Sequence, residues 1–319
     1  MHLRRLLLGL GVVLWTVDLH AQTAVMIRSP SSVPTAQRWL PASSLAIETS
    51  QGWRVWWSAE HAPRRWLTSD TILRSAIPLR GRVLAWNEAI IAGSGEAWRT
   101  RLVVVRLDAR SVQLQLDTAS ENRHPAWRLD RVPDDAIFAV NAGQFGSQYP
   151  WGLVLLEGHQ YLAPGAGSLV TTIAIDSIGR LRWASGDSSA RVAQGARWAF
   201  QSYPTLLRDG EVPAALQSED GGIDVGHRDA RLAMGLLDDG SLIFVMTRFD
   251  ALGSALGFVP FGLTVPEMAA TMGALGAREA VLLDGGVSAQ MLLRDDAGRT
   301  HRWRGLRAVP LALVGRFKR

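Results

Sequence analysis

The chain has 319 residues, with 34 lysines and arginines against 29 acidic side chains, a formal charge of +5. At 47% hydrophobic and 20% charged, its composition is that of a folded domain and excludes a disordered or collagen-like chain. It has no cysteine and its only lysine is Lys318, which excludes disulfides, thiolate metal sites and cysteine nucleophiles, and leaves no lysine for a P-loop or a Schiff base.

The positive charge is almost all arginine, spread along the chain without the basic run of a nucleic-acid arm, so no nucleic-acid partner is expected. Residues 1–21 read as a secretory signal. Arg4 and Arg5 precede an apolar stretch from Leu6 to Val17 that is too short to span a bilayer comfortably, and Leu19-His20-Ala21 offers a small residue for cleavage. A periplasmic or secreted protein is expected, with no stable membrane insertion once the signal is removed. Residues 22–45, rich in Ser, Pro and Ala, read as a linker or poorly ordered arm. Residues 46–98 carry Trp53, Trp56, Trp57, Trp66, Trp86 and Trp98. This tryptophan-rich layer is either a small module or part of the main domain over 99–319. Its aromatic rings are expected to serve core or edge packing before sugar binding.

From Arg101 the strands become clear. Leu102–Leu107 and Val112–Leu116 read as a hairpin around Asp108–Ser111. Ile137–Val140 reads as a strand ending at Asn141-Ala142-Gly143. Leu153–Leu156 and Tyr161-Leu162 flank a turn, and Thr171–Ile175 and Leu181–Trp183 flank another. Leu232–Leu236 and Leu242–Met246 flank Asp238-Asp239-Gly240, a strong hairpin signal. Thr264, Pro266 and Glu267 predict a helix with a capping box, with Met268, Met272 and Leu275 on its apolar face and Gly276 ending it. The strand Ala280–Leu283 then runs into Asp284-Gly285-Gly286. The pattern predicts an α+β class: a strand-rich mixed-sheet domain with a few helices.

No His-Glu-x-x-His, Gly-x-Ser-x-Gly or strand-following Gly-x-Gly-x-x-Gly is present. The histidines past the signal, His61, His124, His159, His227 and His301, are too far apart in sequence for a local metal pair. Neither a metal site nor a cofactor is expected, beyond a divalent cation conceivably held by Asp284 and a phosphate.

Asp284 is the best single candidate for chemistry, because it emerges from an apolar strand onto two glycines whose backbone can approach an anion closely. Ser288 adds a hydroxyl. Read alone, the segment is equally a tight turn with aspartate as turn former. Asn141 followed by Gly143 repeats the logic, with an Asx turn as the plain alternative. Arg231 lies at the far end of the Asp-Gly hairpin. A three-residue loop pairs it with Thr247, whereas a two-residue turn pairs it with Arg248 and places two guanidiniums on one face. The plain alternative for Arg231 is a surface ion pair with Asp229 or Asp250.

Taken in order, several stretches resemble the phosphodiester glycosidase family. They are Ala139–Phe145, Gly152-Leu153-Val154 with Glu157-Gly158, and Gln201–Leu207 with Asp209-Gly210. Next come Arg231–Gly235 before the Asp-Gly hairpin, and Gly262-Leu263-Thr264 leading to Leu283–Ser288. The match covers about residues 100–315. The resemblance implies a phosphodiester-glycosidase-like fold and hydrolysis of a sugar-1-phosphodiester on an envelope or extracellular glycan or a nucleotide sugar. Asp284 would be nucleophile or base, and Arg231 would stabilise the phosphate. Asn141, Gly143, Gln201, Tyr203, Thr247, Gly285, Gly286 and Ser288 would line the substrate. Glu157, Asp209 and Asp250 are the candidates for a second carboxylate. The chain departs from the family pattern at Tyr203, where glycine is usual, at Leu232, where threonine is common, and at Thr247-Arg248-Phe249. The alternative reading is a non-catalytic glycan-binding or envelope scaffold protein on the same fold.

Overall fold

A computed structural model describes residues 44–67, 72–121, 124–146, 149–217, 223–250, 257 and 259–318. The predicted signal and residues 22–43 of the expected arm lie outside the described residues. The last two residues of that arm, Ser44 and Leu45, open the first strand instead.

Strands β1 (Ser44–Thr49), β2 (Gly52–Ser58), β3 (Leu84–Ala92) and β4 (Thr100–Leu107) form half of an eight-stranded sheet, with a short helix α1 (Ile72–Ala76) between β2 and β3. β5 (Val112–Thr118) belongs to a second sheet. A two-stranded ribbon follows, β6 (Ser120–Glu121) and β7 (His124–Pro125), and then β8 (Phe138–Asn141) takes the centre of the second sheet. The third sheet holds β9 (Val154–Leu156), β10 (His159–Leu162), β11 (Thr171–Ile175), β12 (Leu181–Ser185) and β13 (Trp198–Ser202), ordered β10-β9-β13-β11-β12. β14 (Thr205–Leu207), β15 (Leu232–Leu237), β16 (Leu242–Phe249) and β17 (Ala277–Leu283) return to the large sheet and complete the order β14-β17-β15-β16-β4-β3-β1-β2. Helix α2 (Val265–Ala274) lies between β16 and β17. β18 (Met291–Arg294), β19 (Thr300–Trp303) and β20 (Leu311–Phe317) close the second sheet as β19-β18-β8-β20-β5.

The strand-rich α+β class with few helices is therefore as the sequence predicts. Within it, every pairing between these strands is antiparallel, where a mixed sheet was expected.

The large sheet is a middle layer, which explains the unbroken apolar run of β4. Leu102 and Val104 pack with Met268, Met272 and the tryptophans Trp56, Trp57 and Trp66 on one face. Val103 and Val105 pack on the other face with Phe138, Val140, Ile173 and Phe200 from the second and third sheets. A strand buried on both faces has no polar side to show. The same geometry breaks the expected hairpin of β4 and β5. Both edges of β4 are taken, by β3 and by β16, so β5 leaves at Asp108 and pairs with β20 from the other end of the chain. The remaining hairpins form as predicted, and Glu157-Gly158 makes the β9–β10 turn with positive φ at both positions.

Helix α2 starts as predicted. The Thr264 hydroxyl accepts from the Glu267 N–H at 3.3 Å, and the Glu267 carboxylate accepts from the Thr264 N–H at 3.0 Å. Gly276, at φ 91°, ends it. Almost the whole helix is buried, wider than the single apolar face read from the sequence. Gly273 explains part of this: a Cβ there would sit 2.2 Å from the Trp66 ring, so only glycine lets ring and helix meet. Four of the six tryptophans of the amino-terminal layer pack as expected. Trp53 and Trp98 are about half exposed.

Candidate active site

Three chain segments end at one place: the carboxyl ends of β17 and β8, and the turn after β13. The Asp284 N–H donates to the Gly143 carbonyl at 2.8 Å, and Asn141 Nδ2 donates to the Asp284 carbonyl at 2.7 Å. Asn141 Oδ1 accepts from the Gln290 N–H at 2.9 Å. Asn141 is fully buried and both ends of its amide are engaged, so it positions the Asp284 turn from behind. Gly143 takes φ 68° and faces the Gln201 carbonyl so closely that a Cβ would lie 3.1 Å from it.

The Asp284 carboxyl sits mostly out of water. Burial pushes its pKa up to about 7, and the nearby negative charge of Asp229 adds to the rise. The Ser288 hydroxyl and the Arg307 guanidinium pull the other way. Its Oδ2 is buried and has no hydrogen-bond partner. A buried carboxylate oxygen left without a donor is costly, and its retention here marks a place where a ligand or reacting group completes the shell.

Asp229 is not one of the second carboxylates that the sequence suggests, yet it is the carboxylate whose charge acts on Asp284. It lies just before β15, and its Oδ1 accepts from the Ala230 N–H at 2.7 Å. The Gly285-Gly286 turn runs directly over it. The Gly286 N–H donates to the Ala230 carbonyl at 2.6 Å, and a Cβ on Gly286 would come within 3.0 Å of Asp229 Oδ2. Both glycines are thus needed for close approach, Gly285 to the Ala230 carbonyl, 2.4 Å from where its Cβ would lie, and Gly286 to the Asp229 carboxylate. The Gly286 N–H, expected to face an anion, is spent on Ala230. Burial also raises the Asp229 pKa, against the lowering pull of Arg231, the Ala230 N–H and His227. The three earlier candidates lie elsewhere. Glu157 pairs with Arg197 at the β9–β10 turn, Asp209 with Arg278, and buried Asp250 with Arg99 and Arg101.

Arg231 takes the three-residue-loop register. Its N–H donates to Thr247 Oγ1 at 2.6 Å, and the Thr247 N–H donates to the Arg231 carbonyl at 2.8 Å. The guanidinium donates from Nε to the Leu263 carbonyl at 2.9 Å and from Nη2 to the His227 carbonyl. It is held by carbonyls within the fields of Asp229, Asp224 and Glu267, and burial lowers its pKa. Neither the Asp229 nor the Asp250 ion pair considered from sequence forms as a hydrogen-bonded pair among the described contacts. Arg228, just upstream, makes a bidentate pair with the fully buried Glu267 at 2.6 and 2.8 Å. The capping box of α2 therefore also anchors the segment that carries Asp229 and Arg231.

Tyr203 lies near enough to Asp284 to feel its charge. Burial, with the charge of Asp284 adding to it, raises the pKa of its phenol. Its ring packs edge-on against Trp151 at 4.5 Å, and Gln144 ties the pair by donating to the Tyr203 carbonyl and accepting from the Trp151 N–H. Gln201 does not face the site with a free amide. Its Oε1 accepts from Leu153 and Gly165, both at 2.8 Å, and its Nε2 donates to Thr172 Oγ1 at 3.1 Å. The Thr247 hydroxyl is likewise taken up by the Arg231 backbone. The sequence signal for Asp229 was present, two residues before Arg231 at a strand start, but only the fold shows that Gly286 crosses it. Among the described residues, no group of three or more His, Asp or Glu side chains is placed to hold a metal ion.

The phosphodiester glycosidase family model matches residues 134–314, and the chain belongs to that family. The fold is similar to the catalytic domain of zebrafish N-acetylglucosamine-1-phosphodiester alpha-N-acetylglucosaminidase, auto-inhibited there by its pro-peptide. The TM-score is 0.56 at 17% identity, over 81% of this chain and 95% of that one. A hypothetical protein from Synechocystis aligns at 14% identity and a TM-score of 0.47, over 86% of this chain and 68% of that one. No curated protein matches by sequence.

Proposed function

We propose that this protein hydrolyses the bond between an anomeric carbon and phosphate in a sugar-1-phosphodiester, after export from the cytoplasm. The observation that carries this reading is the pair of half-buried carboxyl groups, Asp284 and Asp229, whose pKa values are both raised and which lie on the two sides of the double-glycine turn near Arg231. A carboxylate with a pKa near 7 is matched to proton transfer at neutral pH.

In this reading Asp284 takes a proton from water as the water oxygen bonds to the anomeric carbon. The bond from that carbon to the phosphate oxygen breaks, and its electron pair leaves with a phosphomonoester. Phosphate is a good leaving group, so proton donation to it matters less than in ordinary glycosidases. The Arg231 and Arg307 guanidiniums offset the charge that builds on its oxygens. Asp229 sustains the raised pKa of Asp284 and stabilises positive charge developing on the sugar ring. The sugar rests against Tyr203 and Trp151, whose rings pack edge-on, with Asp284 close enough for its charge to act on the Tyr203 phenol. If Asp284 instead attacks the anomeric carbon directly, the released sugar keeps its anomeric configuration. The test is release of phosphomonoester from a panel of sugar-1-phosphodiesters, with the anomer followed by NMR and a parallel arm in chelator. Inversion supports the water route, retention supports attack by Asp284, and loss in chelator brings in a divalent cation. Binding of the panel without turnover would favour a glycan-binding protein.

A further inference from the structure

Arg248, near the carboxyl end of β16, is a half-buried cation, and among the described residues no carboxylate pairs with it. Its Nη2 donates to the Arg304 carbonyl at 3.0 Å, and its Nη1 reaches only the Met246 sulfur, at 3.9 Å. Most of the five N–H donors of the guanidinium are left over. Burial lowers its pKa, and no neighbouring acid among the described residues raises it again. The residue opposite it across the sheet is Arg101 on β4. Arg101 takes the acids of that neighbourhood: its Nε donates to Asp250 at 2.9 Å, and its guanidinium forms ion pairs with Glu88 and Asp250. Two guanidiniums directly opposite repel, and only one of this pair is neutralised. A cation drawn out of water without an acid is costly, so its retention points to an anion that arrives with a ligand.

Its position ties Arg248 to the site. Thr247, the residue before it, holds the Arg231 backbone. Successive side chains of a strand point to opposite faces. Arg248 therefore shares the face of Met246, towards the second and third sheets, and Arg231, opposite Thr247, stands on the other. The Arg304 carbonyl that Arg248 holds begins the segment that carries Arg307. The Leu306 and Arg307 N–H groups both donate to the Val287 carbonyl, at 2.7 and 3.1 Å, and a Cβ on Gly305 would lie 2.8 Å from the Ser288 carbonyl. The same turn brings the Ser288 hydroxyl to Asp284, and the Arg307 charge acts on that carboxyl. One segment thus holds Arg248 and Arg307 against the turn that follows Asp284.

We infer that Arg248 binds a second anionic group of the substrate, a phosphate or a carboxylate on the part that keeps the reacting phosphate. The inference rests on the hydrolase reading above and narrows its substrate class to diesters that carry a negative charge beyond the reacting phosphate. A phosphodiester has a single negative charge, and in that reading Arg231 and Arg307 already serve it. A third guanidinium, on the other sheet face from Arg231, is surplus to that charge and suits a second one. The guanidinium fork matches the paired oxygens of either a further phosphate or a carboxylate.

The experiment compares three diesters of one sugar-1-phosphate: a methyl ester with one charge, a uridine diphosphate sugar with a second phosphate, and an ester to a hydroxyl of methyl glucuronide with a carboxylate. Wild type, Arg248→Gln and Arg248→Lys are assayed on each. The expected result is that Arg248→Gln lowers kcat/KM on at least one of the doubly charged esters about tenfold more than on the methyl ester. Arg248→Lys, which keeps the charge and loses the fork, should recover part of that difference. A loss confined to the nucleotide sugar identifies a phosphate, and one confined to the glucuronide identifies a carboxylate. Equal losses on all three esters would show that Arg248 only supports the Arg304–Arg307 segment, and would overturn the subsite. Calorimetric binding of inorganic pyrophosphate and of glucuronate supplies a readout independent of turnover. In a protein that hydrolyses none of the esters, binding of either probe weakened by Arg248→Gln keeps the subsite and removes the hydrolase reading. Binding of both probes indifferent to that substitution, in such a protein, removes the subsite as well.

Discussion

Asn141 donates a 2.7 Å hydrogen bond from Nδ2 to the main-chain carbonyl of Asp284, and its Oδ1 holds the Gln290 N–H. One buried amide thus clamps both sides of the turn that presents the candidate catalytic carboxyl. Replacing Asn141 with alanine leaves two backbone groups unpaired in a buried place and should cost about 2–4 kcal/mol. Urea unfolding measures that cost. Hydrolysis by the folded fraction should also fall, because Asp284 loses its support. Full activity at reduced stability would show that the clamp serves folding alone.

The two carboxyl groups should be separable by pH. Asp284 acts ionised in the proposed route, so activity should rise with pH through about 7. Asp229 lies among the causes that raise the Asp284 pKa, so Asp229→Asn should move that rise to lower pH. It should also lower kcat by about a hundredfold or more. An unmoved pH limb would show that the two groups do not sense each other.

Burial of Asp284 also makes a statement about stability. Its folded-state pKa of about 7 lies above the ordinary 3.8, so the native state holds more protons than the unfolded state between those values. Stability from this group is therefore lost as pH rises from about 4 to 7, and the cost is fully present above pH 7. Asp284→Asn should gain a few kcal/mol over wild type at pH 8, with the gap closing near pH 4. A constant gap across that range would contradict the raised pKa.

The Arg228–Glu267 pair couples helix α2 to the site segment. Glu267 is fully buried and serves both the capping box and the guanidinium. Glu267→Ala strands a largely buried arginine and removes a cap, and should cost about 3–5 kcal/mol. Arg228→Met with Glu267→Gln should cost less than the sum of the two single changes in a double-mutant cycle. Strict additivity would mean the pair carries no coupling.

Much of this site was legible in the sequence, and the reasons differ residue by residue. Asp284, Asn141, Gly143 and Gly286 sit where strands end on glycine, and turn chemistry locates such positions without a fold. The capping box of α2 is likewise local. Arg231 could be assigned to the end of its hairpin, but its register depended on whether the loop had two or three residues. Asp229 was seen only as a partner for Arg231, because its role depends on a turn more than fifty residues later in the chain crossing it. Gln201 and Thr247 were read as facing substrate, while the fold uses their polar groups to hold loops and the Arg231 backbone. The hairpin expected of β4 and β5 failed for the same kind of reason. Partners for β4 arrive from β3 and β16, and local spacing does not report that competition.

In the proposed function, Asp284 and Asp229 together cleave a sugar-1-phosphodiester. The most direct measurement is phosphomonoester release from one such diester by wild type, Asp284→Asn and Asp229→Asn, each confirmed folded by circular dichroism. The expected result is turnover by wild type and a loss of about a hundredfold or more in each variant. Turnover that survives either substitution would contradict the two-carboxylate site.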